Sequence, residues 1–77
     1  MVDSNNGVKL YETIQLFCAL RNESINSMCK KAKVSPGNLT DLKMGRKNTL
    51  QLDTIARIAD ALQVTVTAIQ NLSLIHI

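Results

Sequence analysis

Apolar residues recur along this chain at helical intervals and break off at short polar connections. Between Val8 and Arg21 (VKLYETIQLFCALR) they fall at Leu10, Ile14, Phe17 and Cys18, with Val8, Tyr11 and Leu20 on the flanks of the same stripe. Steps of three and four predict an amphipathic helix with one face inward. Asn22 and Glu23 break that pattern. Ser24 then offers an N-cap, and Ile25, Met28, Cys29 and Ala32 behind it share one face. Val34 carries the chain through a turn to Ser35, a second N-cap. Pro36 takes the first helical position, where its missing N–H costs nothing. Leu39 and Leu42 repeat on the inner face, and Gly45 is placed to end this helix in a left-handed conformation. After a polar loop, Arg46 to Thr49, a stripe of Leu52, Ile55, Ile58, Ala59 and Leu62 predicts a helix over 51–62. Asp53 lies in its first turn, where a negative charge suits the helix dipole. Val64 leaves that helix, and Thr65 caps a last short one over 66–72 with Ile69 inward.

Five helices, with no trustworthy strand pattern and no internal repeat, predict an all-α fold, a compact five-helix bundle. Its middle, helix, short turn, helix and glycine stop, has the layout of a helix-turn-helix. The chain divides into a polar, flexible N-terminus over 1–7, the helical domain over 8–72 and an apolar tail, SLIHI, over 73–77. The tail has no helical periodicity beyond the last helix and is open to reading as a strand or a helical extension. It also looks like the start of a peptide encoded by accidentally translated sequencing-adapter DNA, so no function is assigned to it.

Composition narrows the classes of function. At 77 residues there is room for one small domain, and a chain of this size buries only about 60% of its unfolded surface. The hydrophobic fraction is 45% and the aromatic fraction 3%, so the core must be aliphatic. Nothing approaches the roughly 20 apolar residues of a membrane span, and the N-terminus shows no basic, then apolar, secretory leader. A cytoplasmic location is expected. Cys18 and Cys29 sit within helical apolar patterns and read as small buried hydrophobes, not as a disulfide or metal pair. His76 has no companion ligand. There is no catalytic Ser–His or Cys–His arrangement, no glycine-rich phosphate loop and no metal-ligand cluster, so neither enzyme chemistry nor a cofactor is expected.

The net charge is +3, with a pI near 9.1. Its arrangement is more telling than its size. Lys30, Lys31 and Lys33 close the second helix, while Lys43, Arg46 and Lys47 follow the third. These clusters bracket the Ser35–Met44 stretch, where contacts to a polyanion would be wanted.

The span from Ser24 to Ile69 resembles the Cro/repressor-like helix-turn-helix family, also called Xre or lambda-repressor-like. The match is carried by AKVSPGNLTDLKMGRK and by the later LDTIARIADALQVTVTAI, in the right order and distance. Three positions depart from the family pattern. Lys33 stands at the turn position usually taken by glycine, Cys29 replaces a small alanine, and Ile25 stands where many members carry a glutamine that supports a DNA-backbone contact.

The resemblance implies a DNA-binding transcriptional regulator, of the kind of a small phage or mobile-element repressor, reading the major groove with helix 35–44. By matching positions, the base-contact candidates are Pro36, Gly37, Asn38, Thr40 and Asp41. Asn38 is suited to adenine and Asp41 to the cytosine amine; in the plainer reading Asp41 is solvated and balances Lys43. The phosphate-contact candidates are Ser35, Lys43, Arg46, Lys47, Asn48 and Lys33. Double-stranded DNA is the implied partner, and a homodimer on two half-sites the implied assembly, with Val64, Val66, Ile69, Leu72 and the tail as candidates for its surface; the alternative is that these side chains, Ile69 above all, close the monomer's own core. No small-molecule ligand and no membrane contact are expected. The alternatives are an antitoxin-like protein or a protein-interaction helical module.

Overall fold

The structure, a computed structural model, describes residues 6–75, with side chains as far as residue 71. Five helices follow in order: α1 (Asn6–Leu20), α2 (Ile25–Ala32), α3 (Pro36–Lys43), α4 (Leu52–Leu62) and α5 (Val66–Ile75). No strand occurs among the described residues. α1 packs against α3 and α5, and α2 against α4. α3 therefore has one face on the core and the other turned outward.

The connections explain how so short a chain closes. Each of the first four helices ends in the same double hydrogen bond around a left-handed residue, the Schellman arrangement. At the end of α2, Lys33 has φ 58° and donates to the Lys30 carbonyl at 3.3 Å, while Val34 donates to the Cys29 carbonyl at 3.0 Å. At the end of α4, Gln63 has φ 59° and donates to Asp60, and Val64 to Ala59 at 2.9 Å. Asn22 plays the same part after α1. After α3 it is Gly45, at φ 78°, and here the usual residue type is present.

Three of these ends lead directly into the next helix, at Asn22-Glu23-Ser24, Lys33-Val34-Ser35 and Gln63-Val64-Thr65, and the last two place a valine between turn and cap. Val34 and Val64 leave the left-handed residue, and Ser35 and Thr65 follow as N-caps. The Ser35 hydroxyl accepts from the Gly37 N–H at 3.3 Å, and the Thr65 hydroxyl from the Ala68 N–H at 2.9 Å. The valines stand one residue before these caps, at the positions of a hydrophobic staple to Leu39 and Ile69. Leu39 and Ile69 are fully buried, Val34 is buried, and Val64 packs against the core. Lys-Val-Ser and Gln-Val-Thr thus make the same turn twice.

The core is aliphatic, as the composition requires. Ile14, Met28, Leu39, Leu42, Ile58, Leu62 and Ile69 are fully buried, and both cysteines join them. Phe17 and Tyr11 pack at the edge.

Four sequence expectations change. α1 begins at Asn6, two residues before the apolar pattern starts, because Gly7 is buried there and a glycine leaves no mark in a hydrophobic stripe. Leu20 is exposed and not a flank of the buried stripe. Leu52, placed on the inner stripe of α4, is 64% exposed; Leu50, one residue before the Gln51 N-cap, goes inward in its place. Helix α5 runs on to Ile75, so residues 73–75 are a helical extension and not a strand. His76 and Ile77 lie outside the described residues.

Candidate functional site

The outer face of α3 is the place where exposed polar and cationic groups gather on the uncovered side of a helix. Ser35, Pro36, Gly37, Thr40 and Lys43 are exposed, Asn38 and Asp41 are half-buried, and Leu39 and Leu42 anchor the opposite face in the core. Pro36 at the first position and Ser35 as cap fix where the helix starts. This determines which residues its first turn displays.

The helix stands as a ridge between two grooves. On one side the lining is Tyr11, Ser24, Ile25, Asn26, Pro36, Leu39, Thr40 and Lys43. On the other it is Asn38, Lys47, Thr49, Leu50, Gln51 and Thr54. α1 and α2 supply the first shoulder; the loop after Gly45 and the start of α4 supply the second. A helix whose outer face lies exposed between two grooves has a surface that a duplex groove can admit.

The expected base-contact residues are brought together, but not all of them are idle. Thr40 donates its hydroxyl to the Pro36 carbonyl at 3.3 Å, a turn back along the helix. Asn38 accepts at Oδ1 from Lys47 Nζ at 3.2 Å. That uses one lone pair of the amide oxygen and leaves its two N–H donors. Asp41 is paired, though not with Lys43. Its Oδ1 accepts from Arg46 Nε at 2.9 Å, and its Oδ2 lies 3.9 Å from Lys47 Nζ. Residues two apart on a helix point to different sides, which sets Lys43 away from Asp41. The reversal at Gly45 is what returns Arg46 and Lys47.

The phosphate-contact candidates divide accordingly. Lys43 and Lys33 are exposed and form no ion pair among the described residues. Asn48 is exposed in the loop. Ser35 spends its hydroxyl on the α3 cap. Arg46 and Lys47 lie in the expected loop but are folded back onto α3. Of the residues open to either a dimer surface or the monomer core, Ile69 is fully buried in this chain's own core, whereas Val64 and Val66 are half-buried. Leu72 lies outside the described side chains.

Several groove residues carried no sequence signal of their own. Asn26 sits in the first turn of α2, and Gln51 and Thr54 at the start of α4, all beside α3. Their shared trait is position at a helix start, which becomes informative only once the starts of α2 and α4 are seen to lie beside α3.

No group of three or more His, Cys, Asp or Glu side chains that could hold a metal occurs among the described residues. No described helix is long and apolar enough to cross a membrane. Cys18 and Cys29 are free thiols in the core. Burial, and then the nearby Glu23 charge and Cys29, push the Cys18 thiol up to about 11; burial also raises that of Cys29.

A family model described as a Cro/C1-type HTH DNA-binding domain matches residues 13–70, most of the chain and all of α2 to α4. No curated protein and no solved structure matches it significantly.

Proposed function

The chain belongs to the Cro/C1-type helix-turn-helix DNA-binding family, and we propose that within it this protein is a sequence-specific transcriptional regulator. It is a small repressor of the phage or mobile-element kind, without catalytic activity, and works in the cytoplasm on double-stranded DNA. The observation that supports this best is the α3 ridge with a groove on either side and the unpaired Lys43 at its end.

In this reading the first turns of α3 enter the major groove. Pro36 and Gly37 allow close approach, and Asn38 and Thr40 supply polar contacts to base edges. Lys43 and Lys33 hold phosphates on one side, and Arg46, Lys47 and Asn48 on the other. The protein acts as a homodimer on two half-sites about one helical turn apart, with Val64 and Val66 at the contact.

The test is selection from a pool of random duplexes at about 50 and about 200 mM salt, with Asn38→Ala and Arg46→Ala beside the wild type. A two-fold symmetric site should emerge, and Asn38→Ala should lose it selectively. Arg46→Ala should weaken all sequences alike and lower the salt slope by about one. Failure to bind at the lower salt sinks the reading. A second reading, an antitoxin-like or other protein-binding module, is favoured by one observation. Leu16 and Leu20, one turn apart on α1, are 52% and 71% exposed.

A further inference from the structure

Asp41 sits in the middle of the ridge, and the loop that follows α3 closes on it four times. The Arg46 N–H donates to its carbonyl at 2.8 Å and the Lys47 N–H to the same oxygen at 3.3 Å. The Arg46 guanidinium then holds one carboxylate oxygen at 2.9 Å, and Lys47 stands 3.9 Å from the other. Lys47 also reaches Asn38 Oδ1 at 3.2 Å. The two cations placed to meet a phosphate on that flank are thus already facing an anion of the chain itself.

A carboxylate and a phosphodiester present the same chemistry to Arg and Lys: anionic oxygens that accept charged N–H donors. They therefore compete. The side chains are partly exposed, 58% for Arg46, 45% for Lys47 and 32% for Asp41, so the pairing is an easily exchanged one. A duplex phosphate can take these cations only by displacing Asp41, and the freed carboxylate is then left against a polyanion. Both steps lower affinity for any duplex, whatever its sequence.

We propose that Asp41 is an internal competitor of DNA: it occupies Arg46 and Lys47 in place of a DNA phosphate and so lowers the protein's affinity for any duplex. The proposal rests on the DNA-binding reading above. It gives Asp41 a role different from reading a cytosine amine, since a base reader contributes little to binding of a mixed-sequence duplex, whereas a competitor weakens that binding and its neutralisation strengthens it.

The experiment measures binding of a mixed-sequence duplex of about 20 base pairs by fluorescence anisotropy at about 50 and about 200 mM salt. The proteins are wild type, Asp41→Asn, Asp41→Ala and Asp60→Asn. Asp60 is an exposed acid on α4 that forms no ion pair among the described residues, so its variant reports what loss of one negative charge does by general field alone. Asp41→Ala guards against a folding defect specific to asparagine, because alanine favours the helix interior. Both Asp41 variants should bind roughly fivefold or more tighter than wild type, with a steeper salt dependence as up to about two further cations reach phosphates. Asp60→Asn should change little. In an Arg46→Ala, Lys47→Ala background the gain from Asp41→Asn should fall to that of Asp60→Asn. Wild-type binding with Asp41 variants equal, weaker, or no tighter than Asp60→Asn overturns this inference and leaves the DNA reading standing. No binding by any of the proteins at the lower salt overturns both.

Discussion

Lys31 Nζ lies 2.7 Å from Glu23 Oε2, and the pair locks the entry to the helix-turn-helix. Glu23 precedes the Ser24 cap of α2 and also accepts from the Ser27 hydroxyl at 3.1 Å, and its side chain is only 8% exposed. One of the lysines that the charge pattern offers to DNA is therefore engaged within the protein. The hydrogen bond from Lys31 is the main cause that holds the Glu23 carboxyl below its ordinary 4.5. Ser27 and the charges of Lys31 and Arg21 add to it, against the cost of desolvation. A carboxyl that is more acidic folded than unfolded stabilises the fold above its unfolded value and loses that contribution as pH falls through the folded value. The stability gap between wild type and Glu23→Gln should be full at neutral pH and shrink below about pH 4.5. Urea unfolding at a series of pH values measures it, and a gap that does not change with pH would refute the assignment.

The two core thiols should be inert in the folded protein. With Cys18 raised to about 11 by burial, only about one thiol in a thousand is ionised at pH 8, and the thiolate is the reactive form. Iodoacetamide at that pH should label neither cysteine in the native state and both in denaturant. Rapid native labelling would show that the α1–α2 contact opens far more readily than its packing implies.

Lys33 adopts φ 58° and ψ 44° without being a glycine, a conformation that costs an ordinary residue roughly 1–2 kcal/mol. Lys33→Gly removes that strain but frees the unfolded chain, so the expected net gain is up to about 1 kcal/mol. For a domain of this size that is a rise in Tm of up to about 4–8 °C. The Lys33 carbonyl, 3.5 Å from Arg57 Nη1, is a backbone group and stays in place. If Lys33 also holds a phosphate, the same variant should weaken DNA binding and reduce the salt slope by about one. Thermal melts and anisotropy on one preparation separate the two effects.

What the sequence disclosed was local. Ser24, Ser35 and Pro36 mark helix starts because a cap acts within three residues, and Ile55, Ile58, Ala59 and Leu62 mark a buried face because a helix repeats itself. Leu50 and Leu52 were harder, since both are leucines on either side of one N-cap and only the entry angle at Gln51 decides which goes inward. The site was less legible than the fold for the same reason. Asp41, Arg46 and Lys47 each carry an unambiguous charge. That they neutralise one another follows from the reversal at Gly45, which brings positions five and six apart face to face. Charge read along the chain counts all three as available to a partner; the folded arrangement does not.

Gly37 is the residue of α3 for which the fold gives no reason. It lies in the first turn, exposed, and it is not among the residues with positive φ. A Cβ built on it would meet only the Ser35 hydroxyl oxygen, at an ordinary 3.5 Å. A glycine within a helix is worth roughly 0.5–1 kcal/mol less than alanine, so Gly37→Ala should stabilise the protein by about that amount. A bare backbone at the tip of a ridge is useful if something must come close to it. On a duplex carrying the selected site, Gly37→Ala should therefore bind roughly tenfold more weakly, the equivalent of one contact to a base edge. Stability and affinity would then move in opposite directions in a single variant, which neither misfolding nor a change in charge can produce. Unchanged affinity in a more stable Gly37→Ala would mean that the first turn of α3 does not approach the DNA closely, and the contact would have to be sought further along the ridge, at Thr40 and Lys43.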